Sequence, residues 1–313
     1  MKAPLLGSLF ALFASLHHLS AANPVEVGDV EWTRDFEAAL KTSAATKKPV
    51  FALFQEVPGC AGCQKFGREV LTNQLLVEAI ESQFVPVLIY NNQGGNDAKL
   101  LRRFNEPSWN YQVVRFFDSE AKDIIPRRDR IWTLAALATR MVETLETANR
   151  EVPNYLRTLA EGQNNASHQK AAFSMFCFWT GELHLGQIEG VVQTEAGWFD
   201  GHEVTLVTYD PGQLSFPDLV QAAEEAKCAN SVYTSSDAQR KELGKTRLKT
   251  GTLDGSYRAA RASDQKRQIL GTSWTNLDLN PMQETKVNAW ARVDVDEALS
   301  WLSPRQIKQL KGG

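Results

Sequence analysis

The sequence predicts an α/β protein built as two domains, and three observations lead to that expectation. At 313 residues the chain is longer than one hydrophobic core usually serves. Helical periodicity alternates with short apolar runs from Val30 to about Gly162, stops in the polar stretch 161–168, and then restarts. A vicinal dithiol, Cys60-Ala61-Gly62-Cys63, stands between an apolar run and a helical one, where a helix N-terminus keeps a thiol reactive.

Residues 1–22 read as a signal peptide rather than as fold. Met1-Lys2 supplies one positive charge, residues 4–16 are apolar, and Ser20-Ala21-Ala22 places small side chains before Asn23. The apolar run falls short of the roughly 20 residues a membrane helix needs. Cleavage would move the formal charge from −3 to −4, since the segment holds one Lys and no acid. The expectation is a periplasmic or secreted protein with no membrane insertion after cleavage. An uncleaved anchor or a buried first helix is the alternative.

The first domain is expected over residues 26–162. Residues 32–44 have helical spacing, and 49–55 form an apolar strand bounded by Lys47-Lys48 and Glu56. A helix follows the dithiol through Ile80. Residues 84–90 read as a second buried strand, ended by the breaker cluster Asn91-Asn92-Gln93-Gly94-Gly95. Residues 112–117 and 123–125 flank the turn Asp118-Ser119-Glu120 as a hairpin. Leu134, Leu137, Met141 and Leu145 then line one face of an amphipathic helix. The polar linker contains Asn165-Ala166-Ser167, formally a glycosylation acceptor.

The second domain is expected over 168–313. A strand at 171–176 runs straight into Cys177; strands follow at 191–198 and 203–209, the latter stopped by Asp210-Pro211-Gly212. Ser215 with Asp218 three residues on, and Pro217 in the first turn, opens a helix to about Lys227. Residues 230–263 are polar and without clear periodicity. The tail, 281–310, reads as two amphipathic helices with a packing role, the second starting at Ser303-Pro304.

Composition narrows the function classes. With 43% hydrophobic and 23% charged residues, and neither charge runs nor solenoid-length repeats, the chain reads as ordinarily globular. It lacks the basic stripe that nucleic acid or an anionic membrane would demand.

The dithiol carries the most chemistry. At a helix N-terminus the macrodipole and free N–H groups favour a thiolate, so Cys60 is the expected nucleophile, with Cys63 one turn on to resolve a mixed disulfide. A structural disulfide and a metal site remain open alternatives. Zinc needs further ligands, and beyond the signal peptide only Cys177, Cys228 and three scattered histidines remain. Neither metal nor cofactor is expected.

Residues 30–126 resemble an exported thioredoxin-fold protein. The run Lys-Lys-Pro-Val-Phe-Ala-Leu-Phe precedes the dithiol and Phe84-Val85-Pro86-Val87-Leu88 supplies the next central strand. Glu106-Pro107 stands before Val113-Val114-Arg115-Phe116-Phe117, where the resemblance implies a cis-proline that exposes backbone to substrate; an ordinary turn proline is the other reading. Val57-Pro58-Gly59-Cys60 is similar to a bacterial family whose first motif position is cysteine or selenocysteine.

The segment Phe176-Cys177-Phe178-Trp179-Thr180-Gly181-Glu182 is similar to the Gly-Cys-Phe-Trp-Gly-x-Glu signature of methionine sulfoxide reductase A. The similarity continues through Gly197-Trp198, Gly201-His202-Glu203-Val204 and Val207-Thr208-Tyr209-Asp210-Pro211. It implies an α+β second domain with a helical extension, in which Cys177 attacks the sulfoxide sulfur and becomes a sulfenic acid that another thiol resolves. Phe178 and Trp179 would box the methionine methyl. The segment carrying that family's acid and tyrosine is missing, because Gly197-Trp198-Phe199-Asp200-Gly201 runs directly into His202. Glu182 is the nearest remaining acid, with surface charge as its other reading. Cys228 is either the resolving thiol or half of a structural disulfide with Cys177.

Together these readings predict an exported thiol oxidoreductase that reduces peptidyl methionine sulfoxide with electrons passed through Cys60 and Cys63. Its partners would be oxidised exported proteins or peptides and an upstream thiol reductant. The alternative is a general thiol–disulfide oxidoreductase whose second domain is a non-catalytic client-binding or structural module.

Overall fold

Three apolar runs build the first sheet: Val50–Gln55 (β1), Val85–Tyr90 (β2) and Val113–Phe117 (β3), in the order β2-β1-β3. The computed structural model describes residues 23–108, 111–162 and 166–312; the signal-peptide expectation and Asn165 of the glycosylation pattern lie outside them. β2 runs parallel to β1 and β3 antiparallel to it. All six β1 residues are buried, as expected of a strand covered on both faces. Phe51 and Leu53 face one core with Phe84, Phe116, Leu137 and Met141, whereas Val50, Ala52 and Phe54 face another with Phe36, Leu101 and Phe117. Phe51 and Phe116 are register partners and pack edge to face at 5.3 Å, an arrangement favoured by the ring quadrupole.

Helices cover both faces. α1 (Phe36–Thr46) starts at Asp35, whose side chain accepts the Ala38 N–H. The single helix expected after the dithiol is two, α2 (Ala61–Glu69) and α3 (Gln74–Gln83), because Asn73 caps a new start by accepting the Leu76 N–H. The breaker cluster opens a further helix, α4 (Gly95–Arg103), and α5 (Leu134–Thr147) and α6 (Asn154–Glu161) complete this half. The expected 112–125 hairpin reduces to one bridge, Phe117 to Asp123.

The second half holds a six-stranded sheet in the order β8-β7-β4-β6-β5-β9. Its strands are β4 (Gln169–Ser174), β5 (Val191–Phe199), β6 (His202–Tyr209), β7 (Ser231–Thr234), β8 (Lys249–Thr252) and β9 (Arg258–Ala259). The last three, with α9 (Asp237–Glu242), lie in the stretch whose sequence showed no periodicity. α7 (Phe178–Gln187) and α8 (Phe216–Glu225) supply Leu185, Phe216 and Leu219 to a core with Ala171, Phe173, Val207 and Tyr209. Three helices rather than two form the tail: α10 (Pro281–Trp290), α11 (Val295–Ser300) and α12 (Pro304–Gly312). α10 begins with a full capping box between Asn280 and Gln283.

The tail also binds the first half. Arg305 donates its backbone N–H to Glu78 Oε1 at 2.8 Å and its guanidinium to Gln74 at 2.9 Å, and Asn280 donates to Thr158 at 2.7 Å. No helix among the described residues is long and apolar enough to cross a membrane.

Candidate functional site: two cysteines at helix N-termini

β1 delivers the chain through residues 56–59 to Cys60, the N-cap of α2. The side chain is exposed and its Sγ lies 3.5 Å from that of buried Cys63. The two thiols differ sharply in acidity. The backbone N–H of Cys63 draws the Cys60 thiol below its ordinary value, against partial burial and the charge of Glu56. Burial, reinforced by the neighbouring Cys60, pushes Cys63 up to about 11. An exposed thiol that ionises easily beside a buried one that does not is the division between attack and resolution.

Residues that the sequence reading did not single out hold the loop before Cys60. Asn92 donates to Pro58 O and accepts the Val57 N–H, Gln93 donates to Val57 O, and Glu26 Oε1 accepts the Gly59 N–H at 2.9 Å. Beneath them buried Gln55 donates to the backbone carbonyl of Glu26. Asn92 and Gln93 belong to the cluster read as a strand breaker, so composition alone gave them a turn's role. Gly67 of α2 lies where any Cβ would come 1.8 Å from Val25 O, so the helix seats directly on the backbone of 25–27.

The expected cis peptide at Glu106–Pro107 is not there; among the described residues the cis bond is Val57–Pro58. Asn105 turns the chain in the left-handed region (φ 51°) before the proline. Buried Glu106 is fixed by Arg115 at 3.1 Å and Arg127 at 2.7 Å. Pro107 thus follows an anchored turn, six residues ahead of Val113 and the start of β3.

Cys177 repeats the arrangement of Cys60: it follows β4 and is the N-cap of α7. It is half-exposed. At the same helix end Glu203 Oε2 accepts the Phe178 N–H at 2.9 Å, a carboxylate placed where the helix dipole favours it. Gly181 lets α7 approach the sheet, since a Cβ there would lie 2.0 Å from Met175 Sδ and 2.2 Å from Thr205 Oγ1. Buried Phe178 packs edge to face with Trp198 at 5.6 Å. Trp179 is drawn aside, its Nε1 donating to Asp264 O at 3.0 Å, with Arg267 over its ring. Of the two aromatic side chains after Cys177, it is therefore Phe178 that pairs with exposed Trp198.

Glu182 is fully buried and both of its oxygens are occupied by Lys266, one by the backbone N–H at 2.9 Å and one by Nζ at 2.5 Å. Burial pushes its carboxyl up against the pull of that ammonium. Near it Tyr257 donates to Glu195 at 2.6 Å and packs on Gly197. Cys228 sits in the apolar core, its thiol pushed up to about 11 by burial. All four cysteines are free thiols, so Cys177 and Cys228 are not joined here.

Comparison with known proteins gives both halves of this geometry a context. Residues 31–119 match the family described as thioredoxin-like. The chain is 32% identical over 76 residues to peptide methionine sulfoxide reductase MsrA 1 of Nostoc sp., covering 19% of this chain and 47% of that protein. It is 32% identical over 73 residues to the Fragaria ananassa peptide methionine sulfoxide reductase, covering 18% and 38% respectively. The Pseudomonas syringae MsrA is 37% identical over 73 residues, covering 18% and 34%. The chain thus spans less than half the length of these relatives. A solved DsbH oxidoreductase aligns at 19% identity and a TM-score of 0.33, over 42% of this chain and 96% of that one. A thioredoxin-like segment and a segment similar to methionine sulfoxide reductases stand in one polypeptide.

Proposed function

We propose that this chain, with its thioredoxin-like segment and its similarity to methionine sulfoxide reductases, is a thiol oxidoreductase that reduces peptidyl methionine sulfoxide at Cys177 with electrons delivered by Cys60 and Cys63. The acidity split between exposed Cys60 and buried Cys63 across 3.5 Å is the observation that carries the reading. The N-terminal segment, read as a signal peptide, supports work outside the cytoplasm on oxidised exported proteins or peptides.

The chemistry balances as follows. The Cys177 thiolate attacks the sulfoxide sulfur, the S–O oxygen takes a proton, methionine leaves as the thioether, and Cys177 becomes a sulfenic acid. A thiol condenses with it, releasing water and leaving a disulfide; Cys228 or Cys60 serves here. Where Cys228 condenses, the Cys60 thiolate attacks the Cys177–Cys228 disulfide and frees one thiol, and Cys63 attacks the resulting mixed disulfide and frees the other. Where Cys60 condenses, Cys63 attacks the Cys60–Cys177 disulfide and frees Cys177. Either route leaves a Cys60–Cys63 disulfide, which takes two electrons from an external dithiol. Phe178 and Trp198 would hold the methionine methyl and thioether by sulfur–aromatic contact.

One observation favours a second reading. With both Glu182 oxygens bound by Lys266, general-acid help usually worth 10²–10⁴-fold lacks its nearest candidate donor. Under this reading the dithiol exchanges disulfides of client proteins and the second half binds them. Reductant-coupled turnover of a methionine sulfoxide peptide separates the two: wild type turns over and Cys177→Ser does not under the first. Absence of turnover by wild type, with disulfide reduction retained, establishes the second.

A further inference from the structure

Glu56, Cys60 and Cys63 bring one carboxylate oxygen and two sulfurs within 4.8 Å of one another, the sole such trio of His, Cys, Asp or Glu ligand atoms among the described residues. Three features of the trio point to a cation. First, two thiolates on a tetrahedral zinc ion at about 2.3 Å stand roughly 3.8 Å apart, and the Cys60 and Cys63 sulfurs are already 3.5 Å apart. Second, the half-buried Glu56 carboxylate has no hydrogen bond or ion pair among the described residues, and its charge opposes ionisation of both sulfurs. A dication between them turns that repulsion into attraction. Third, the backbone of the loop between Glu56 and Cys60 is held by Asn92, Gln93 and Glu26, so the segment that carries the ligands is ordered before any ion arrives.

We propose that the reduced dithiol and Glu56 form a three-ligand site for zinc or a similar divalent cation, and that the bound ion keeps the pair reduced and out of exchange. Three protein ligands leave a fourth position for water, the pattern of open zinc sites. Binding forms two metal–sulfur bonds and one metal–oxygen bond, and the thiols give up their protons to solvent. Nothing is oxidised or reduced. The site stands on the geometry of the trio and does not depend on which oxidised substrate the enzyme serves.

The test uses the full chain, fully reduced and stripped of metal. Cobalt(II) is titrated as a spectroscopic probe, and zinc is then competed against a chromophoric chelator. The expected result is one ion per chain with a thiolate-to-cobalt charge-transfer absorption, abolished by Cys60→Ser and by prior oxidation of the dithiol. Cys60 is exposed, so that variant should keep its fold, which circular dichroism checks. Glu56→Gln should bind zinc at least about 10–100-fold more weakly, since losing even a group that only supports a ligand costs that much. A Cys177→Ser/Cys228→Ser variant should bind as wild type does. Stoichiometric zinc should also slow alkylation of Cys60, and a chelator should restore it. A missing charge-transfer band, unchanged affinity in Glu56→Gln, unchanged alkylation, or a band that disappears with Cys177 and Cys228 would each overturn the proposal. Loss of sulfoxide turnover would leave these readouts untouched.

Discussion

Lys266 reaches Glu182 across 84 positions of sequence and binds both of its carboxylate oxygens under α7. Neither side chain has appreciable contact with solvent. In that setting the removal of one partner leaves an unpaired buried charge, an effect of about 3–5 kcal/mol. Lys266→Met should therefore lower unfolding stability by roughly that amount. Replacing both residues, as Glu182→Leu with Lys266→Met, should restore most of it. Denaturant titration of the two variants decides the matter; a single variant as stable as wild type would show the pair to be incidental.

The dithiol predicts a pH-dependent selectivity. In metal-free, reduced protein, the backbone N–H of Cys63 draws Cys60 below its ordinary value and burial holds Cys63 at about 11. Alkylation near neutral pH should therefore fall on Cys60 well ahead of Cys63, with the Cys60 rate rising at lower pH than that of a free cysteine. Mass mapping after timed iodoacetamide treatment reads this directly. Equal labelling of the two would remove the basis for separate attacking and resolving roles.

Cys228 makes an alkaline prediction of opposite sign. Its folded value, about 11, lies above the roughly 8.5 of an unfolded thiol. The raised group contributes stability that is full below 8.5 and lost as pH climbs toward 11. A shift of that size corresponds to roughly 3 kcal/mol, so stability of the reduced protein should fall between pH 8.5 and 11. Cys228→Ala should show a shallower fall over the same window. Parallel pH profiles for the two proteins would mean that Cys228 titrates alike folded and unfolded.

Gly181 links packing to the second cysteine. With Met175 Sδ and Thr205 Oγ1 where a Cβ would go, Gly181→Ala should push α7 off the sheet at about 1–3 kcal/mol. It should also change the alkylation rate of Cys177, one helical turn away. A variant of wild-type stability would show that Met175 swings clear without penalty.

Much of this architecture was legible in the sequence because the signals were local. β1 and β2 announced themselves as uninterrupted apolar runs, since both faces of the first sheet are covered and no alternation is required. Cys60 was placed at a helix start, and Cys177 at the end of a strand, by transitions visible within ten residues, whereas the helix that Cys177 caps went unread. What escaped depended on distant partners. Glu182 looked like a free acid because Lys266 arrives from far along the chain. Asn92 and Gln93 looked like mere breakers because their acceptors and donors lie in the loop before Cys60. Trp179 seemed equivalent to Phe178 until its indole was found bound to Asp264. The break between α2 and α3 was hidden by an apolar pattern that continues across it, and only the Asn73 cap marks it.

The bond from Arg305 to Glu78 spans 227 positions, which sets an order in time. A ribosome adding about 5–20 residues per second produces Arg305 roughly 10–45 s after Glu78. Throughout that interval α3 must wait with its buried carboxylate unanswered by the tail. The thioredoxin-like half can gather its own sheet early, but the clasp from Arg305 arrives 227 positions later, so a nascent chain stalled before α12 would display an unfinished α3 surface to whatever holds or degrades it.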